Sequence, residues 1–219
     1  MTRWDSPWKY LWYILCTFLG AALEIVLLCL IEPVLFHGTD SGDYSDAQNI
    51  IHRLLTIFCW GTAAFLLTKS AEKRLSPPVI SRQAPTGKGI ALSGALALVC
   101  IAINAFDWGT LKTIGEFQRK GPLLFTFQYL YYFFEAALIC LFVIFGQGLF
   151  EALLKRASRF PWGGAVLAVA WGAPHFLTKG SFSDGVCAML FALLDGEIYL
   201  LLGRSTKFSY CIITLAFIV

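Results

Sequence analysis

The chain has 219 residues, of which 58% are hydrophobic, 16% aromatic and only 14% charged. An ordinary soluble domain carries roughly 25% charged residues, so this composition excludes a water-soluble globular fold and points to a polytopic membrane protein. The formal net charge of +3 and the lack of a long Lys/Arg run exclude a surface that tracks nucleic-acid phosphates.

A membrane-crossing helix needs about 20 apolar residues at 1.5 Å each. Apolar windows of that kind fall at seven places: 11–36, 51–68, 89–106, 123–153, 161–178, 185–202 and 207–219. The first has positive flanks like a signal peptide, but its apolar run is too long and contains Glu24, so it reads as a retained span. Glu32, before Pro33, falls near the outer boundary, whereas Glu24 is deeper and should face another helix. The acidic loop HGTDSGDYSD follows the first window. After the second comes SPPVISRQAPTGKG, rich in Pro, Gly and Ser, which reads as a cytoplasmic linker. It divides the chain into an amino-terminal hairpin (1–70), a linker (71–88) and a core (89–219).

The stretch DWGTLKTIGEFQRKG fits either a short helix in the outer interface or a plain loop. The fourth window is too long for one perpendicular span, so it is tilted, or broken near Gly146 and Gly148. The last window is short, and either barely crosses or ends inside the bilayer. With the amino terminus inside, the inner segments hold Arg3, Lys9, Lys69, Lys73, Arg74, Arg82, Lys88, Lys155, Arg156, Arg159, Arg204 and Lys207. The outer segments hold Arg53, Lys112, Arg119, Lys120 and Lys179, and the imbalance places the amino terminus in the cytoplasm. In a bacterium the membrane would be the cell membrane.

Ionisable residues inside spans are functional candidates by default. Glu135 sits mid-span in YYFFEAALIC with no acidic neighbour, and is either a working carboxylate or a structural one held neutral or hydrogen-bonded. Asp195 and Glu197 flank Gly196 near the inner end of the sixth window. They read as a polar cavity lining or as side chains snorkelling to the interface beside Arg204. Glu151 precedes Lys155 at the helix ion-pair spacing. Trp4, Trp8, Trp12, Trp108, Trp162 and Trp171 lie mostly near span ends, as an aromatic belt would place them. Seven cysteines occur singly, without CxxC, and read as small buried hydrophobes. The three histidines, His37, His52 and His175, fall in separate segments without HExxH, so no metal and no cofactor is expected. Matching interrupted segments in two halves, which an inverted-repeat transporter would show, are missing.

The carboxy-terminal half carries a resemblance. PWGGAVLAVAWGAPH (161–175) is similar to the segment PWxAxxxxxxxFxxxH that precedes the first essential histidine of the CPBP family, the CAAX-protease and bacteriocin-processing intramembrane endopeptidases. GEIYLLLG (196–203) resembles the family's GxxYxxTG turn, with Leu202 in place of Thr, and FGQGLFEALLKR (145–156) resembles its FRGLLxxxLxRR stretch. The resemblance covers roughly 145 to 205 and implies an all-helical bundle with a CPBP-like core. In active members an EExxxR motif and two histidines activate a water in a dry cavity. Here the Arg position falls on Gln147, the paired Glu on Phe142 and Val143, and no second histidine follows His175.

Two functions follow. One is a proteolytically inactive membrane protein that binds a partner's transmembrane or lipidated segment as scaffold or regulator. The other is a divergent glutamic-type endopeptidase acting through Glu135 and His175 on a prenylated or leader peptide. Gln147, Asp195 and Glu197 are the expected cavity lining. Small residues around Gly163 suit close helix packing.

Overall fold

The computed structural model describes residues 5–76, 79–81, 83–178 and 181–219, without the side chains of Asp107, Leu177 and Thr178. Arg3, Trp4, Arg82, Lys179 and part of the expected linker lie outside these residues. The described chain is all-helical, with seven helices beyond one turn and no strand. They are α1 (Pro7–Leu35), α2 (Asp46–Arg74), α3 (Gly87–Trp108), α4 (Lys112–Leu154), α5 (Trp162–Gly172), α6 (Phe182–Leu201) and α7 (Thr206–Ile218). Four of them, α1 to α4, are long and apolar enough to cross a membrane. At 1.5 Å per residue α5 spans about 16 Å and α7 about 20 Å, short of a hydrocarbon core about 30 Å thick. α6 has the length but carries Asp184, Asp195 and Glu197.

Local chemistry sets the helix starts. Pro7 stands at the first turn of α1, where its missing N–H costs nothing. Ser45 and Gln48 form a reciprocal capping box on α2. Thr86 and Ser181 accept from the backbone N–H groups of Gly89 and Asp184 to cap α3 and α6. The linker expected over 71–88 is therefore shorter, because helix continues to Arg74 and resumes at Gly87.

The second half of α4 is the axle. Ala136 and every residue from Leu138 to Gln147 are buried, which happens to a helix that is apolar all round. α1, α2, α5 and α7 pack directly on α4, while α6 joins α5 to α3 and α7. The amino-terminal hairpin is thus part of one bundle. Outward faces are apolar too: Trp8, Val34, Phe58 and Phe106 are each more than 70% exposed, a surface suited to hydrocarbon rather than water.

The break in α4 is not at Gly146 or Gly148. It occurs at Gly121, in a left-handed conformation (φ 69°) just before Pro122, where Pro removes a donor and glycine takes the positive φ without strain. The segment Lys112–Lys120 is thereby helical rather than a plain loop, with the Arg119 guanidinium 4.1 Å above the Trp108 ring. Gly146 and Gly148 instead give room to Val166 and the Tyr10 ring.

The tightest crossings lie around α5. A Cβ on Gly163 would overlap the Val143 carbonyl oxygen, one on Gly164 would lie 2.6 Å from Ala192 O, and one on Gly196 would lie 2.5 Å from Gly164 N. Gly163→Ala should therefore destabilise the protein by about 1–3 kcal/mol through overpacking. Gly94→Ala, which has open space around its Cβ, should lose nothing and gain up to about 1 kcal/mol of helix propensity. Thermal unfolding of both variants in one detergent checks the contrast.

Candidate functional site

Because α4 is enclosed from Ala136 to Gln147, its polar side chains collect at the two ends of that stretch, and a cavity opens at each. The first, of about 460 Å³, lies at the end that carries the 36–45 loop and the α3–α4 turn. Glu135 and His175 both line it, together with Glu24, Asn104, Lys112 and Asp184. α5 ends in a π-turn, Ala168–Gly172, and Pro174 then starts a new turn at His175. That irregular backbone puts Trp171 between the two candidates. Its indole N–H donates to Glu135 Oε1 at 3.3 Å, and its carbonyl oxygen lies 2.8 Å from His175 Nδ1. A carbonyl only accepts, so Nδ1 carries a proton and, in the neutral ring, Nε2 holds the lone pair. Trp171 is thus a cavity residue rather than a member of an interfacial belt.

The other lining expectations fall elsewhere. Gln147 lies twelve residues beyond Glu135 on α4, about 18 Å along the axis, and lines the second cavity, of about 590 Å³. There it acts as a strut: Nε2 donates to Glu151 Oε1 (2.9 Å) and Phe160 O (3.3 Å), and Oε1 accepts from Gly163 N (3.1 Å). Asp195 and Glu197 line neither cavity. Asp195 is 1% exposed, its Oδ1 has no hydrogen-bond partner among the described residues, and the thiols of Cys100 and Cys140 are its electrostatic neighbours. It does not snorkel toward Arg204, because Arg204 is taken by Glu151 at 2.6 Å and by Ser158 O at 2.9 Å. The expected Glu151–Lys155 pair is absent among the described contacts. Lys155 takes a left-handed conformation (φ 52°) that ends α4 and turns it out of the helical register.

One cluster escaped the sequence analysis. Glu32 was expected near the outer boundary and His52 only as an isolated histidine, yet Glu32 is fully buried and pairs with His52 Nδ1 at 2.8 Å. The other ring nitrogen, Nε2, lies 3.5 Å from Glu24 Oε1, and Tyr131 OH donates to that same oxygen at 2.7 Å. Tyr44 OH donates to Glu32 Oε2 at 3.0 Å. In a regular α-helix, eight residues run about 80° past two full turns. The π-turn Leu27–Ile31 lies between the two acids and absorbs about one residue, so both carboxylates of α1 face α2. The eight-residue spacing was visible; the π-turn that makes it meaningful was not.

Lys112 is buried beneath the first cavity, 4.2 Å from the ring centres of Tyr132 and Phe217, and donates to Phe217 O at 2.8 Å. It fastens the end of α7 to the start of α4. Among the described residues no three His, Cys, Asp or Glu side chains are grouped to hold a metal ion.

Glu151→Gln should remove the charged partner of Arg204 and destabilise the fold by about 2 kcal/mol. This is below the 3–5 kcal/mol of a fully buried pair, since the Arg204 side chain keeps 36% exposure. Trp171→Phe, which keeps a ring but loses the donor to Glu135, should cost about 1 kcal/mol. Chemical denaturation of each purified variant checks both. Comparison of the chain with protein-family models, with curated proteins and with solved structures found no match.

Proposed function

We propose that this chain is a multi-pass membrane protein with a CPBP-like core, its amino terminus on the cytoplasmic side. In this reading it binds a transmembrane or lipidated segment of a partner in the Glu135–His175 cavity without cleaving it. The topology is supported by where the basic residues meet. Lys9 Nζ donates to Arg74 O, Arg204 donates to Ser158 O, and Thr206 Oγ1 donates to Val79 O. The segments rich in Lys and Arg therefore share one end of the bundle, as the positive-inside rule requires.

The observation that carries the binding reading is what occupies the positions where the resemblance would put the catalytic set. Phe142 and Val143 are buried apolar side chains in the axle, and Gln147 is a strut at the opposite cavity. A proteolytic site built from those three positions has neither base nor cation. A cavity of about 460 Å³ falls within the range of about 300–1,000 Å³ typical of ligand sites, and its mixed aromatic and polar wall suits an amphipathic segment.

A second reading is favoured by one specific observation. Glu135 and His175 share a cavity wall, so Glu135 could serve as general base on a water while His175 Nε2 accepts or returns the proton. The protein would then be a divergent endopeptidase.

A photo-cross-linking residue at Ala188, on the cavity wall, separates the two in native membranes. Docking predicts an intact partner segment cross-linked equally in wild type, Glu135→Gln and His175→Ala. If wild type yields fragments and the two variants hold the uncut polypeptide, the chain is a protease and the binding reading falls.

A further inference from the structure

The Glu32–His52–Glu24 arrangement is independent of whether the cavity binds or cleaves. It has three properties that a structural ion pair does not need. Both ring nitrogens of one imidazole face carboxylate oxygens, Nδ1 to Glu32 at 2.8 Å and Nε2 to Glu24 at 3.5 Å. The two carboxylates differ in where they lead. Glu32 is fully buried and is touched by Tyr44 from the 36–45 loop, whereas Glu24 lines the first cavity. The backbone is also irregular at this place, with the π-turn Leu27–Ile31 between the acids, a feature found frequently at functional positions.

We propose that Glu32, His52 and Glu24 form a proton relay between the 36–45 loop and the first cavity. The transfer begins with the neutral ring protonated on Nε2 and its Nδ1 lone pair toward a protonated Glu32. Glu32 gives its proton to Nδ1 and becomes a carboxylate, leaving an imidazolium. The imidazolium gives the Nε2 proton to Glu24, which is now a neutral acid facing the cavity. The net result is one proton moved from Glu32 to Glu24. The ring, left protonated on Nδ1, returns to its starting tautomer by exchanging protons with water, which takes the Nδ1 proton and supplies one to Nε2.

The charged and titratable groups around the relay are consistent with this direction of travel. From α4, Tyr131 donates to the same Glu24 oxygen that faces His52, so that oxygen is the acceptor end. Tyr44 from the loop holds the other oxygen of Glu32, leaving Oε1 for the ring. On α2 itself, Arg53 is turned away from His52, donating to Gln128 and Asn49. It still interacts electrostatically with Glu24, Glu116, Tyr131 and Tyr132. Lys120 also binds Gln128 and pairs with Glu116 at 3.3 Å. Both cations are thus held by Gln128, outside the line of transfer.

The test uses full-length protein in lipid nanodiscs, where three histidines make nitrogen-15 labelling assignable through His37→Gln and His175→Gln. Between about pH 5 and about pH 8, the range in which imidazole ordinarily titrates, the His52 nitrogens should both change protonation. The infrared carboxyl band that disappears in Glu24→Gln should titrate in step with them. In His52→Gln the midpoint of that band should move by at least about one pH unit, the scale of a single strong neighbour. Glu32→Gln, which keeps the hydrogen bonding and the fold while removing the proton donor, should uncouple the two titrations. The proposal is overturned if His52 keeps one tautomer throughout, or if the Glu24 band titrates unchanged in both variants while they elute and melt as wild type.

Discussion

Enclosure of α4 between Ala136 and Gln147 is the constraint on which everything else rests. A helix with no outward face has nowhere to leave a charge, because an unpaired ion in a low-dielectric interior costs several kcal/mol even after relaxation. Its polar residues are therefore confined to the ends of the enclosed stretch, Glu135 at one end and Gln147 with Glu151 at the other. Two separate cavities follow from one helix. The neighbours that enclose it must come close, and the glycines at 163, 164 and 196 allow the backbones of α4, α5 and α6 to touch where any side chain would collide.

Each end of the axle is then finished by a different kind of polar contact. At the basic end, Glu151 gathers Arg204, Gln147 and the Ser158 amide on a single carboxylate oxygen, which ties the α4–α5 turn to the α6–α7 turn. At the loop end, the polar groups are spread over more elements, and two of them depend on π-turns. One π-turn aligns Glu24 and Glu32 toward His52; the other brings Trp171 between Glu135 and His175. Irregular helix at both places is what turns scattered polar residues into a site.

Much of this was legible in the chain itself. Each of the seven apolar windows holds one of the seven described helices, though only four of these are long and apolar enough to cross a membrane, because an apolar surrounding leaves a compositional trace that needs no partner to read. Glu135 stood out as a carboxylate inside a span and His175 through the resemblance of 161–175, while that the two line one cavity is a fact of the tertiary structure. Spacing was less informative. Gln147, expected to line a cavity, lines the second one and not the one shared by Glu135 and His175, because about 18 Å of helix lies between Gln147 and Glu135. Asp195 and Glu197 were expected either to line the cavity or to snorkel beside Arg204, but they line neither of the two cavities, and Glu151, 53 residues earlier than Arg204, takes that cation.

Composition and periodicity alone determined that the chain is helical, apolar and rich in candidate spans, because those properties are summed residue by residue. Tertiary structure alone decided which polar groups meet. The partner of a buried carboxylate is chosen by whichever helix happens to be packed against it, as Trp171 is against Glu135 and His52 against Glu32. The local departures from regular helix at Leu27–Ile31, Gly121 and Ala168–Gly172 rotate side chains by amounts that no fixed period anticipates. The hydrophobic pattern is insensitive to such rotations, while a hydrogen bond, which needs its atoms within about 3 Å, depends on them entirely.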